Sequence, residues 1–277
     1  MNEKKWIIRV PHEEIVSSET VKEIAEDLHL SRPTAQLLVL RGCETPDAAH
    51  DFLAKRTELF HDPFQIKDMR EAGMTLMRAV DTGKKIVIYG DYDVDGVTSV
   101  CALYLYLCGM GADVSYYIPS RITEGYGFSE EAVRRLAADG VQVIVTVDTG
   151  VTAVAEIALA YELGMQVVVT DHHECGETLP SAEAVVNPHR ADDVYPFKDL
   201  AGVGVVFKLL CALEILRNPD ALVSHCVRRV CLKYADLIAI GTVADVMPVR
   251  DENRLIVAFG LKRIEDDPRE GVRALLN

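Results

Sequence analysis

The sequence predicts an α/β fold: a doubly wound, mainly parallel sheet preceded by a helical amino-terminal lead-in. Two observations carry this. From Lys85 onward, short β-branched runs alternate with helical segments, the pattern of βαβ units. Several runs are apolar at every residue rather than at every second one, as in strands covered on both faces. Before Lys85 the only comparable run is WIIRV, near the start.

In chain order, the lead-in begins with SETVKEIAEDLHL, which has a Ser/Thr cap candidate and apolar residues at helical spacing. SRPTAQLLVLRG repeats the pattern and ends at Gly42. TPDAAHDFLAKR is a third short helix with Pro46 in its first turn. KKIVIYG is then a buried strand, and VTSVCALYLYLCGMG a helix closed by glycine. DVSYYIP is the second strand, and SEEAVRRLAADG a helix capped by Ser129 and stopped at Gly140. VQVIVTVDTG, MQVVVTDHH and AEAVVNP supply three more strands, with the helix TAVAEIALAYELG between the first two. After Gly202 the chain is again mostly helical, through VVFKLLCALEIL, RRVCLKYADLIAIGTVADV and the tail.

Composition bounds the function. The chain has 277 residues, 49% hydrophobic and 26% charged, ordinary values for a globular protein. No apolar run is long enough to span a bilayer, and no signal-type h-region follows the charged start. The seven cysteines are scattered without a C-x-x-C pair. They read as reduced thiols of a cytoplasmic protein, not as a disulfide frame or a zinc site. A net charge of −14 argues against a protein that coats nucleic acid. It leaves room for an enzyme whose bound cations reverse the local field.

Four clusters carry the chemistry. Asp91, Asp93 and Asp95 follow the first strand in YGDYDVDG. Alternate residues of an extended segment point the same way, so these carboxylates are expected to converge, with Gly90 and Gly96 allowing a tight turn. An EF-hand loop would need flanking helices and a later glutamate, which are missing. Asp148 ends the third strand. Asp171, His172, His173 and Glu174 end the fourth, and Asp245 lies in the apolar stretch GTVADVMP. A carboxylate there is unfavourable to bury unless paired or metal-bound. Ligands of open α/β sheets gather at the carboxyl ends of strands, where three of these clusters fall. Oxygen and imidazole donors favour Mg²⁺ or Mn²⁺, and the histidine tilts the choice to Mn²⁺.

DYDVDG, the aspartate of VTVDTG, DHHE and the aspartate of VADV resemble the four successive motifs of the DHH phosphoesterase superfamily. HDPFQIKDM, IPSRITEGYGFS and DLAGVGVVFKL narrow the resemblance to the RecJ family of single-strand-specific exonucleases, over about Ser31 to Val249. The resemblance implies two manganese or magnesium ions held by Asp91, Asp93, Asp95, Asp148, His172 and Asp245, with Asp148 bridging them. It places His173 beside the scissile phosphate and Arg121 at the terminal 5′ phosphate, so that Asp93, Asp148 and His173 form the catalytic group. Thr149 stands where relatives often have cysteine. The implied activity is 5′→3′ hydrolysis of single-stranded DNA to 5′-mononucleotides in repair and recombination. A single-strand-binding protein and a helicase are candidate partners, and no membrane is involved.

The organisation expected from this is a helical segment over 1–80, a metal-binding catalytic domain over 81–250 and the start of a connecting helix over 251–277. The glycine- and histidine-rich motif of a companion domain is missing, so a truncated product that degrades long DNA poorly is expected. Gly202 and Gly204 are candidates for close approach of a phosphate backbone, although tight strand–helix packing explains a G-x-G equally well. Tyr126 and Phe128 are candidates for base stacking or for a loop core. His189 and Arg190 read as a surface pair. Two other readings remain: a DHH phosphoesterase for short oligonucleotides or cyclic dinucleotides, and a non-catalytic binding module, against which the retention of all six ligands argues.

Overall fold

The computed structural model describes residues 19–122 and 127–276; WIIRV and Tyr126 lie outside the described residues. The chain divides into two compact units, Met1–Arg56 and Thr57–Asn277. In the first, helices α1 (Glu19–Asp27), α2 (Arg32–Leu40) and α3 (Pro46–Leu53) enclose a small core of Val21, Ile24, Ala35, Leu38, Cys43 and Ala49. Ser31 and Thr45 cap α2 and α3 by accepting the N–H of Thr34 and Ala48, and each helix has proline in its first turn.

The second unit holds α4 (Met69–Asp81), β1 (Ile86–Gly90), α5 (Val94–Gly109), β2 (Val114–Tyr117), α6 (Glu130–Ala138), β3 (Val143–Val147), α7 (Val154–Glu162), β4 (Gln166–Thr170) and β5 (Ala184–Val186). Four further helices follow: α8 (Gly202–Arg217), α9 (Val223–Ala244), α10 (Asp251–Asp266) and α11 (Glu270–Leu276). The strands form one parallel sheet in the order β2-β1-β3-β4-β5, with Ile86 opposite Val114 on one side and Val143 on the other. Alternate residues face different cores. Ile86, Ile88, Val143, Val145 and Val168 pack with α4, α5, α8 and α9, whereas Val87, Tyr89, Ile144, Val167 and Val169 pack with α6 and α7. Both faces are covered, which is why the strands read as continuous apolar runs.

The division of the chain differs from the expected boundary at residue 80. Helix α4 buries Met69, Ala72, Leu76 and Ala79 in the same core as the sheet, so it is a covering layer of the larger unit. Helix α10 likewise buries Leu255 and Ile256 there and packs as part of this unit. Among the described residues, no helix is long and apolar enough to cross a membrane.

Sheet order fixes the site. The chain leaves β1 towards β2 on one side, and β3 lies on the other. The carboxyl ends of β1 and β3 therefore flank a topological switch point, the crevice where open α/β sheets bind ligands. Asp91 directly follows β1 and Asp148 directly follows β3.

Candidate metal centre

The first three carboxylates converge by a different route from the expected one. Helix α5 already starts at Val94, so DYDVDG is a strand-to-helix reversal rather than an extended segment. Asp91 closes the strand, Asp93 is the N-cap and accepts the Gly96 N–H at 2.9 Å, and Asp95 lies in the first helical turn. Neither Gly90 nor Gly96 has a positive φ. They permit close approach instead: a Cβ at Gly96 would stand 2.5 Å from the Asp91 carbonyl oxygen, and one at Gly90 2.3 Å from Val100 Cγ2. Asp95 is buried, and its two carboxylate oxygens accept the N–H groups of Gly202 (2.7 Å) and Val203 (2.8 Å) at the start of α8. A carboxylate is well placed at a helix N-terminus.

Asp148 is buried and sits at φ 58°, the left-handed region that aspartate tolerates. Its Oδ1 is buried without a hydrogen-bond partner among the described residues. After β4, Asp171 is a buried hub. It accepts the N–H groups of Val151, His172 and His173, and its Oδ1 lies 2.7 Å from His173 Nδ1. The sequence marked the DHHE cluster but gave Asp171 no role of its own; four hydrogen bonds on one buried carboxylate make it the group that orients His173.

These groups meet at the switch point. Asp91, Asp93 and Asp148 offer oxygens within 4.8 Å of one another; so do the ligand atoms of Asp95, His172 and Asp245, and those of Asp148, His172 and His173. His172 Nε2 stands 3.2 Å from Asp148 Oδ1, 3.8 Å from Asp245 Oδ2 and 3.9 Å from Asp95 Oδ2. Asp148 and His172 each belong to two of the groups, and so join them. Asp245, at the C-terminal cap of α9, is only partly buried.

Without cations the cluster strains against its own charge. Burial, then the neighbouring Asp148, pushes Asp95 up to about 7, and burial, then Asp93, pushes Asp148 up to about 8. Burial also raises Asp91 and Asp245. Burial pushes Asp171 up too, but its bonds to His173 outweigh this and hold it below the usual range. The same bond raises His173 to about 9, so its imidazole is a cation at neutral pH. An orphaned buried carboxylate oxygen inside an oxygen-and-imidazole donor set fits divalent cations of the Mn²⁺ or Mg²⁺ type.

The other expected site residues fall in two places. Arg121 is exposed, with its guanidinium 5.5 Å from the centroid of the Tyr92 ring and near enough to Asp91 to offset part of its rise. Gly202 and Gly204 are buried, and the Gly202 N–H is spent on Asp95. A Cβ at Gly202 would stand 2.6 Å from Asp148 Oδ1, and one at Gly204 3.2 Å from the Leu200 side chain. Gly202 thus backs Asp95 and Asp148, while Gly204 packs against Leu200. Phe128 is buried edge-to-face on Tyr89 at 4.8 Å, a loop core. Arg190 is not a surface residue: its side chain is 8% exposed and bridges Asp68, Asp192 and the Val185 carbonyl.

The profile of the DHH family, N-terminal domain, matches residues 85–242, more than half of the chain. The chain belongs to the DHH family. Among its DHH relatives, the single-stranded-DNA-specific exonuclease RecJ of Bacillus subtilis is 44% identical over 272 residues, 98% of this chain and 32% of that protein. RecJ of Thermus thermophilus is 42% identical over 212 residues, 76% of this chain and 30% of that protein. The chain thus spans about a third of the length of these curated relatives. A crystal structure of exonuclease RecJ bound to manganese superposes with a TM-score of 0.67 at 38% identity, covering 78% of this chain and 52% of that one. The Mn²⁺ complex of Thermus thermophilus RecJ gives 0.75 at 33% identity over 92% of this chain and 35% of that one.

Proposed function

We propose that this chain is the metal-binding catalytic portion of a 5′→3′ single-strand-specific exodeoxyribonuclease that releases 5′-mononucleotides in cytoplasmic DNA repair and recombination. One observation carries the reading: three overlapping ligand groups share Asp148 and His172 at the switch point of the sheet. The RecJ relatives and their manganese- and magnesium-bound structures support it. Asp91, Asp93 and Asp148 would hold one ion and Asp95, His172, Asp245 and Asp148 the other. When bound, Mn²⁺ or Mg²⁺ supplies Lewis acidity and offsets the charge that develops on phosphate.

The chain's own residues do the rest. His173, oriented at Nδ1 by Asp171, would donate from Nε2 to a phosphate oxygen or to the departing 3′ oxygen. Arg121 adds a second cation on the Asp91 side, suited to a terminal 5′ phosphate. A cavity of about 310 Å³ opens beside His173, lined by Phe128, Thr149, Thr152 and Glu156 among others, with room for part of a nucleotide. Single-stranded DNA is the proposed partner, with a single-strand-binding protein and a helicase as proteins that would present it.

The test is nucleotide release from long 5′-phosphorylated single strands in Mn²⁺, with Asp148→Ala as the comparison. Mononucleotides that disappear with Asp148→Ala are expected. Hydrolysis confined to dinucleotides or cyclic dinucleotides would replace the reading with the small-substrate alternative.

A further inference from the structure

Helix α8 grips two parts of the site at once. Its first N–H groups, from Gly202 and Val203, hold Asp95. Six residues on, about 9 Å along the axis, Lys208 enters a sealed polar knot with no exposed surface. Its Nζ donates to Glu252 Oε1 at 2.7 Å and to the His61 carbonyl at 2.6 Å. The His61 N–H donates to Glu252 Oε1 at 2.9 Å, and the Tyr195 hydroxyl donates to Glu252 Oε2. Glu252 lies in the first turn of α10, just beyond the loop that carries Asp245. A buried ion pair contributes little net stability, and its best-attested use is to fix registry.

Asn253 tightens the same join. It is fully buried, and its Nδ2 donates to the Asp199 carbonyl at 2.6 Å and to the Pro248 carbonyl at 3.1 Å. Asp199 lies three residues before Gly202, and Pro248 three residues after Asp245. Arg250 adds an exposed bond from Nε to Asp199 Oδ2 at 3.0 Å. Between these ties, Val246 is held at φ 58° while 85% exposed. A β-branched residue at positive φ persists only where its surroundings over-determine it. Here the closing turn of α9 supplies the constraint, with the Val246 N–H donating to the Val243 carbonyl at 3.1 Å and the Met247 N–H to the Thr242 carbonyl at 3.3 Å.

We propose that Lys208, Glu252 and Asn253 are positioning residues that set the spacing between Asp95 and Asp245, and with it the affinity of one of the two cation sites. The inference rests on the metal-centre reading given above. Helix α8 is the strut: one end fixes Asp95, and Lys208 fixes the helix that follows Asp245. Asn253 fastens the Asp245 loop to the segment entering α8.

Mn²⁺ titration of the 277-residue chain, read by the electron paramagnetic resonance of free Mn²⁺, tests this. Asn253→Ala is expected to weaken one of two binding steps about 10- to 100-fold and to leave the other within about threefold. Arg250→Ala removes an exposed pair, folds as the parent does and is expected to weaken the same step a few-fold. Asn253→Gln keeps the donor and is expected to recover part of the loss. In EDTA, amide exchange over residues 245–250 should speed up in Asn253→Ala. Parental affinity at both steps, or an equal loss at both, overturns the proposal. If the parent chain takes up no Mn²⁺, the metal reading fails on its own account; unchanged exchange in EDTA then overturns the clamp. Should Asn253→Ala not fold, Arg250→Ala decides, with unchanged affinity the refuting result.

Discussion

Replacing Gly202 with alanine puts a methyl group where the structure has no room for one. The added Cβ would stand 2.6 Å from both Cβ and Oδ1 of Asp148 and 2.8 Å from its Cγ. Such atoms ordinarily rest about 3.5–4.0 Å apart, so Asp148 or the start of α8 must move by about 1 Å. Either movement disturbs a ligand, because the Gly202 N–H also holds Asp95 at 2.7 Å. A misplacement of about 1 Å costs roughly 100-fold in rate. The overpacking itself costs about 1–3 kcal/mol against a typical stability of about 5–15 kcal/mol, so the variant still folds. Gly202→Ala is therefore expected to keep its circular dichroism spectrum, to lose about 10- to 100-fold in Mn²⁺ affinity and about 100-fold in Mn²⁺-dependent nucleotide release. Gly204→Ala is the control. The nearest neighbours of its Cβ are Leu200 side-chain atoms, at 3.2 Å, and a few tenths of an ångström of give suffices. A Gly202→Ala variant with parental Mn²⁺ affinity would refute the claim that this glycine exists to let Asp148 and Asp95 share one crevice.

Two further outcomes follow from the charges. In the metal-free chain, Asp95 and Asp148 are raised from 3.8 to about 7 and about 8, so the folded state holds protons that the unfolded state has already released in between. The contribution of these two groups to stability is then full below about pH 4 and is lost as pH rises through 8; the melting temperature in EDTA should drop over this window, and Mn²⁺ affinity should rise. A melting temperature in EDTA that is flat or rising from pH 5 to 8 contradicts the assignment. Asp171→Asn removes the negative charge beside His173 Nδ1, so the His173 pKa should fall from about 9 towards the ordinary range in an NMR titration. Nucleotide release should drop about 10- to 100-fold, with Mn²⁺ affinity at the Asp91–Asp93–Asp148 group within about tenfold of the parent. A His173 pKa that stays near 9 would show that another group raises it.

What the sequence revealed and what it concealed have physical causes. The strands were legible because burial on both faces leaves an unbroken apolar run, as in Val143–Val147. The helices were legible because Ser31, Thr45 and Ser129 stand at their starts as caps. The candidate ligands were legible because carboxylates directly after apolar strands are rare without a partner. How Asp91, Asp93 and Asp95 converge was not, since period-two alternation and a helix that begins at Val94 both bring nearby side chains together. Nor were the roles of Gly202, Arg190 and the Lys208–Glu252 pair. Each depends on a partner 107, 122 or 44 residues away in sequence, and no local pattern records a distant partner.

This asymmetry bears on how the centre works. Each ligand is announced locally, but its aim is set from elsewhere: Asp95 by the first N–H groups of α8, and His173 by Asp171. Backbone N–H groups neutralise part of the charge on Asp95 and Asp171, while Asp148 Oδ1 accepts no hydrogen bond from the described residues. That unsatisfied oxygen lies where the ligand groups overlap. A polar network left unsatisfied at its shared atom gains when a cation completes it. Cation binding should therefore stiffen β1, β3 and β4 at their carboxyl ends together, instead of one loop at a time.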